Sequence, residues 1–335
     1  MAVILSVAAL TDLVARVLER HGAAPRTARL VAAVVAAAES DGSRSHGLLR
    51  LPGYVATLKS GWVDGAAIPA VVDAAPGVVA TDARNGFAQV ALADSRALLE
   101  TKARDVGVAV LAIRNSHHFA ALWPDVEPFA EAGFVALALA NVRSRMVVWG
   151  AARKLLGTNP MAFACPRRDG PPVVWDQASS VVAQGEVLLA ATERRALAPG
   201  IGVDAAGAAT TDPQAILDGG ALMPFGGHKG SAIAFMVEIL AAALSGGRFG
   251  FEDRSAAFPG AQTSNAGECV ILIEPSRTGG AAFRDRVEDL VAQLIASGVE
   301  RLPASHRYAR RRRALAHGVE ISERDHDTAQ RLLAP

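Results

Sequence analysis

Beyond Pro69 the chain alternates short β-branched runs with amphipathic helical stretches, and that alternation restricts it to a layered α/β architecture. Strands are expected at residues 78–81, 108–113 and 134–141, with helices over 87–103 and 124–132 between them. Two further strands are expected at 173–176 and 269–274, and two further helices at 229–245 and 283–297. Residues 11–60 keep a helical period instead. Leu13, Val17 and Leu18 make one stripe, Leu30, Val31, Val34 and Val35 a second, and Leu51, Tyr54, Val55 and Leu58 a third. His21-Gly22 before Pro25 stops the first helix and restarts the second; the third begins near Leu48 and ends at Gly61. The basic stretch from Arg301 is expected to fold back on this helical unit.

A chain of 335 residues, 51% hydrophobic, holds more apolar material than one small core needs, so two packed units sharing a cleft are expected. The division is placed at a helical unit of residues 1–75 joined by 280–335, and an α/β unit of 76–279. A net charge of +1 creates no field of the kind that attracts nucleic acid or anionic membrane, which leaves a small-molecule partner. Two cysteines, Cys165 and Cys269, stand alone in apolar segments and suggest neither a disulfide framework nor a structural zinc. The apolar run 2–10 lacks a basic region before it, and no stretch reaches the ~20 residues of a bilayer span, so a cytoplasmic protein is expected.

No Gly-x-Gly-x-x-Gly follows a strand, since Gly200-Ile201-Gly202 lacks the third glycine, and there is no P-loop. Pro224-Phe225-Gly226-Gly227-His228-Lys229-Gly230-Ser231 leads into an apolar helical run instead. Its glycines allow close backbone approach, the helix start has free N–H groups and Lys229 adds a cation, a set suited to a pyrophosphate. A glycine-rich capping turn is an equal reading of that segment alone. In Ser45-His46-Gly47, His46 lies four residues before Arg50, so both are expected to project from the first turn of one helix, an acid beside a carboxylate anchor. The competing reading makes Ser45 a helix cap and His46 a surface residue. Asn115-Ser116-His117-His118-Phe119 ends a strand, where α/β proteins place ligand contacts. The His pair lacks acidic neighbours at ligand spacing, so no metal is expected. Arg310 to Arg313 reads as a solvated helix face.

Taken together and in order, these segments resemble the malate/L-lactate dehydrogenase-like NAD(P)H oxidoreductases over nearly the whole chain. The resemblance rests on Ser45-His46-Gly47 with Arg50, Asn115 to Phe119, Leu156-Gly157-Thr158-Asn159-Pro160, Asp176-Gln177-Ala178-Ser179-Ser180, Thr210-Thr211-Asp212-Pro213 and Gly226 to Gly230. His118-Phe119-Ala120-Ala121-Leu122-Trp123-Pro124 is most similar to the branch that reduces Δ1-piperideine-2-carboxylate and Δ1-pyrroline-2-carboxylate.

The resemblance implies a non-Rossmann, mixed-sheet NAD(P)-binding domain beside a helical domain for substrate and dimerisation, and a homodimer. It makes His46 the proton donor, oriented by Ser45 and a relay acid at Glu186, where close relatives carry Asp. Arg50 and Thr158 would bind the substrate carboxylate. The cofactor, NADPH with NADH as the other candidate, would contact His118, Phe119, Ala120, Ala121 and Leu122, then Asp176, Gln177 and Ala178, then Lys229. Its adenosine end would meet Pro303, Ala304, Ser305, His306 and Arg307, where relatives read Pro-Gly at the first two places. The implied reaction reduces a cyclic α-imino acid to L-proline or L-pipecolate. The alternatives are a 2-hydroxyacid dehydrogenase with a different pocket wall and, more remotely, a non-catalytic nucleotide sensor. A cyclic imino acid needs one fixed cation, Arg50, and apolar walls, for which Phe119, Leu122 and Trp123 are the candidates. Arg44, Arg143 and Arg145 are the side chains able to hold a second anionic group if turned inward.

Overall fold

The structure is a computed structural model that describes residues 2–151 and 153–334. Its centre is a seven-stranded sheet in the order Ala70–Ala75, Val78–Phe87, Val108–His118, Ser264–Ile273, Val135–Ala140, Met161–Cys165, Val173–Gln177. Only Val78–Phe87 and Val108–His118 run parallel; their connection is the helix Ala88–Val106, closed by Gly107 at φ 90°. The remaining pairs are antiparallel, so the sheet is mixed.

Side-chain alternation covers both faces of this sheet. Val270 and Leu272 pack with Leu99, Val126 and Phe129 of the helices on one side. Cys269 and Ile271 point the other way, against Val237 and Ala241 of the helix that follows the glycine-rich loop. The strand expected over 78–81 runs on to Phe87 through an irregularity between Asp82 and Gly86, where Arg84 and Asn85 take positive φ. Such a bulge breaks the period by which a strand is recognised. A second, five-stranded sheet is made of pieces two or three residues long, too short to show any period.

The helical end joins the two chain termini. Ala2–Leu5 pairs antiparallel with Val319–Ser322, and Ala314, Val319, Ile321 and Ala329 share one core with Leu10, Val14, Val31 and Val35. The first helix is Val7–Arg20, earlier than expected because Ser6 accepts the Ala9 N–H and caps it. Helix Phe283–Ala296 lies elsewhere: its Glu288 accepts from Arg167 at 2.7 and 3.0 Å, tying it to the loop after strand Met161–Cys165. The basic run 310–313 is only partly the solvated face expected. Arg311 reaches Asp41 at 2.6 Å and Glu127 at 2.8 Å, and both carboxylates are buried charges that need a partner. No helix among the described residues is long and apolar enough to cross a membrane.

Candidate active site

The turn that carries His46 is not the start of the third helix. Two 3-10 turns, Arg44–His46 and Leu48–Arg50, precede helix Leu51–Lys59, and Gly47 separates them. The carboxylate of Glu39 accepts the Leu48 N–H at 2.6 Å and holds this linker down. The Ser45 hydroxyl lies 3.1 Å from His46 Nδ1, and the Ser45 carbonyl accepts Arg50 Nε–H at 2.8 Å. Phe119 supports the Arg50 guanidinium from 4.5 Å and packs edge-on against Tyr54. His46, Arg50, Phe119 and Thr158 all line one cavity of about 180 Å³.

Burial, with the positive charge of Arg50 and the nearby His118, pushes His46 down to about 3, so the ring is neutral. A neutral ring that accepts from Ser45 at Nδ1 carries its hydrogen on Nε2. Burial lowers Arg50 to about 10, still a cation at neutral pH. Its Nη groups have no acceptor among the described residues, which leaves them for a ligand.

His118 lines the same cavity from the end of strand Val108–His118. His117 faces away, bonded to Thr263 Oγ1 at 2.7 Å and Asn85 Oδ1 at 3.0 Å. His118 Nε2 meets Asp125 Oδ2 at 2.7 Å; burial alone would depress the ring, but Asp125 outweighs it and raises its pKa. The acids absent from its sequence neighbourhood are therefore present in space: His118, Asp125 and Glu268 place ligand atoms within 4.8 Å of one another. Both Glu268 oxygens lack partners, and burial pushes its carboxyl up to about 8, the behaviour of a neutral acid at pH 7. Leu122 lines the cavity, whereas Trp123 is turned into the core under the Arg307 guanidinium, 4.5 Å from its ring. Trp123 is thus not a pocket wall.

The expected cofactor contacts converge in part. Asp176, at the end of strand Val173–Gln177, accepts the Leu122 N–H at 3.2 Å and lies 3.6 Å from Arg307. One carboxylate therefore gathers the 118–122 segment, the 176–178 segment and helix Ser305–His317. Of the 303–307 group only Arg307 makes a bond to this region, donating also to the Val174 carbonyl at 3.0 Å. Pro303 and His306 are exposed. Lys229 is exposed in the first turn of helix His228–Val237 and lies outside the cavity. Gly230 fits this turn tightly, because a Cβ there would sit 2.5 Å from the Phe225 carbonyl and 2.6 Å from that of Ser179. At the helix start the Lys229 and Gly230 N–H groups are taken by the Gly226 and Phe225 carbonyls, which leaves the His228 N–H and the Lys229 ammonium for a phosphate. The cavity lining of His118, Ala120, Ala121, Asp176 and Gln177 offers both donors and acceptors that fit a nicotinamide end.

Two features, Gly185 and the pair Asn141 and Asn159, were not legible beforehand. Gly185 must be glycine: a Cβ would lie 2.8 Å from Arg50 Nη2 and 2.9 Å from Ser45 Cβ. Asn141 and Asn159 both donate to Glu238, at 3.0 and 3.1 Å, and brace Thr158; an Asn at a buried strand end was the available signal. Of the three arginines named from sequence as able to hold a second anionic group, Arg145 lines the cavity, so its wall holds a second cation beside Arg50. Arg44 and Arg143 stay outside it. Glu186 stands in the first turn of helix Gln184–Glu193 without a hydrogen bond to Ser45 or His46, so of the expected relay Ser45 and His46 are the members joined here.

The pattern of the malate/L-lactate dehydrogenase family matches residues 5–329. The chain belongs to that family. Among its relatives in the family is the Δ1-pyrroline-2-carboxylate/Δ1-piperideine-2-carboxylate reductase of Pseudomonas syringae pv. tomato, 53% identical over 96% of this chain and 94% of that protein. The crystal structure of Δ1-piperideine-2-carboxylate reductase from the same organism covers 98% of this chain and 99% of its own, with a TM-score of 0.96 and 52% identity. A (2R)-3-sulfolactate dehydrogenase (NADP(+)) from Chromohalobacter salexigens is 38% identical over 88% of each chain. This member of the family is an oxidoreductase on a mixed α/β fold, and the family's enzymes use nicotinamide cofactors.

Proposed function

We propose that the protein reduces Δ1-pyrroline-2-carboxylate and Δ1-piperideine-2-carboxylate to L-proline and L-pipecolate, with NADPH as the reductant. The observation that carries this reading is the pairing of Arg50 and His46 on one wall of one cavity. Arg50 offers its free guanidinium edge to the carboxylate and so fixes the adjacent C=N carbon. When bound, the nicotinamide supplies a hydride to that carbon. In the same step His46 passes its Nε2 proton to the ring nitrogen, which gains the electron pair of the double bond, and takes the Ser45 hydroxyl proton at Nδ1, so C=N becomes CH–NH and the imidazole stays neutral. The Ser45 hydroxyl fixes the tautomer and is reprotonated from solvent, with Glu186, on the helix packed against this turn, as the relay's outer acid. Thr158 completes the carboxylate site.

The cofactor is assigned to His118–Leu122, Asp176–Ala178 and Arg307, with its pyrophosphate at Lys229. In the domain division the first boundary moves from 75 to about 69, because Ala70–Ala75 pairs into the central sheet, and the second moves to about 305 on the strength of the Glu288 to Arg167 bonds. A homodimer belongs to the proposal, supported by exposed Phe235, Met236, Ile239 and Leu244 along one helix and the turns that extend it. The two free, buried cysteines suit the reducing cytoplasm. The test follows cofactor oxidation by absorbance with both imines, pyruvate, oxaloacetate and ureidoglycolate, using NADPH and NADH in turn. A keto acid or hydroxy acid preferred over both imines would overturn the substrate assignment and leave the family membership standing.

A further inference from the structure

Arg145 stands just ahead of the short strand Met146–Val147, with its backbone clamped on both sides. Its N–H donates to the Leu156 carbonyl at 2.9 Å and its carbonyl accepts the Leu222 N–H at 2.8 Å. The side chain therefore leaves the five-stranded sheet from a fixed base, into the cavity that Arg50 also lines. Among the described residues its guanidinium has neither a hydrogen-bond acceptor nor an ion-pair partner. The two neighbouring arginines are otherwise engaged. Arg143 donates to Ser255 Oγ at 3.1 Å and Arg44 lies 3.9 Å from Asp325. The one carboxylate in the cavity wall, Asp176, is already held by Arg307 and the Leu122 N–H.

Two guanidiniums in one small, partly apolar cavity repel each other and lose hydration; burial with Arg143 and Arg50 nearby pushes Arg145 down to about 9, and the attraction of Asp253, which makes no hydrogen bond to it, offsets only part of this. At neutral pH it remains charged. A monoanion on Arg50 satisfies one of the two charges; a dianion satisfies both. We propose that Arg145 forms a second anion subsite, so that the enzyme accepts, and holds more tightly, cyclic α-imino acids bearing a second carboxylate on the ring. This rests on the cavity being the imine-reducing site.

The test measures binding without turnover, using flat heterocycles as probes. Pyrrole-2-carboxylate is compared with pyrrole-2,4- and pyrrole-2,5-dicarboxylate by calorimetry on the full chain. At least one dicarboxylate should bind about 10- to 100-fold more tightly than the monocarboxylate, the range expected of a charge-assisted pair away from bulk water. In Arg145→Leu that preference should vanish while monocarboxylate affinity stays within about threefold. Arg145→Lys, which keeps the charge, should retain part of the preference. Equal affinities in the wild-type chain overturn the subsite, as does an equal loss for all probes in Arg145→Leu, which would put both arginines on one carboxylate. The wild-type comparison decides even if the leucine variant does not fold. Tight dicarboxylate binding without imine turnover would sink the reductase reading and leave the subsite; imine turnover without the preference would do the reverse.

Discussion

The Ser45 carbonyl accepts Arg50 Nε–H at 2.8 Å while the Ser45 hydroxyl lies 3.1 Å from His46 Nδ1. One residue thus holds both the Arg50 guanidinium and the His46 ring, the proposed carboxylate anchor and proton donor, and fixes their separation before any ligand arrives. Replacing Arg50 tests the anchor. Arg50→Lys keeps the charge but loses the bond to Ser45 and the two-pronged geometry, so kcat/KM for the imine should fall about 10- to 100-fold. The KM for the dinucleotide should stay fixed. A variant with unchanged kcat/KM would show that Arg50 does not hold the substrate.

His46→Ala should lower kcat by about 100-fold or more with little change in dinucleotide affinity, the usual size of general-acid assistance. Because His46 sits at about 3 in the free enzyme, it stays neutral between pH 5 and 8. The kcat/KM profile of the wild-type enzyme should therefore carry no inflection near 6.5 that His46→Ala removes. Finding one would mean that the imidazolium is the donor.

Gly185→Ala places a methyl group 2.8 Å from Arg50 Nη2 and 2.9 Å from Ser45 Cβ, contacts that neither side can accept without moving. Overpacking of this kind costs about 1–3 kcal/mol, and the displaced guanidinium should raise the substrate KM. Thermal melting and steady-state kinetics read the two effects separately. Normal values of both would mean that helix Gln184–Glu193 is not rigidly seated on the turn.

Lys229→Ala should raise the KM for the dinucleotide about tenfold and leave that for the imine nearly constant, as expected of a residue that meets a phosphate at a helix start. The opposite pattern would assign Lys229 to the substrate.

Glu39 links stability to pH. Burial raises its carboxyl to about 7, against the lowering effect of the Leu48 N–H. A carboxyl whose folded pKa lies above its unfolded value prefers, in the folded chain, to be neutral. Stability from this group is then full below about pH 4.5 and is lost as pH rises through 7. Glu39→Gln preserves the acceptor and removes the titration, so in urea unfolding it should exceed wild type by about 1–3 kcal/mol at pH 8. Most of the gap should close at pH 5. An equal gap at both pH values would show that Glu39 does not titrate on unfolding.

What the amino-acid order determined by itself is whatever depends on near neighbours. The alternation after Pro69 and the helical stripes before it are properties of a few consecutive residues, and they place the fold class. His46 and Arg50 do meet in one cavity, but across two 3-10 turns and not from the one helix turn that their spacing suggested. The tertiary structure alone decided the features made by residues far apart in the chain. Glu268 comes against His118 because strand Ser264–Ile273 pairs with strand Val108–His118, and no local period encodes that meeting. Arg311 is a clasp on Asp41 and Glu127 while Arg312 and Arg313 face solvent, although the run looks uniform. Gly185 and Arg145 carry ordinary signatures in sequence. One is required by the Arg50 side chain packed on it, the other acquires meaning from the cavity it enters, and both depend on long-range packing that only the folded chain possesses.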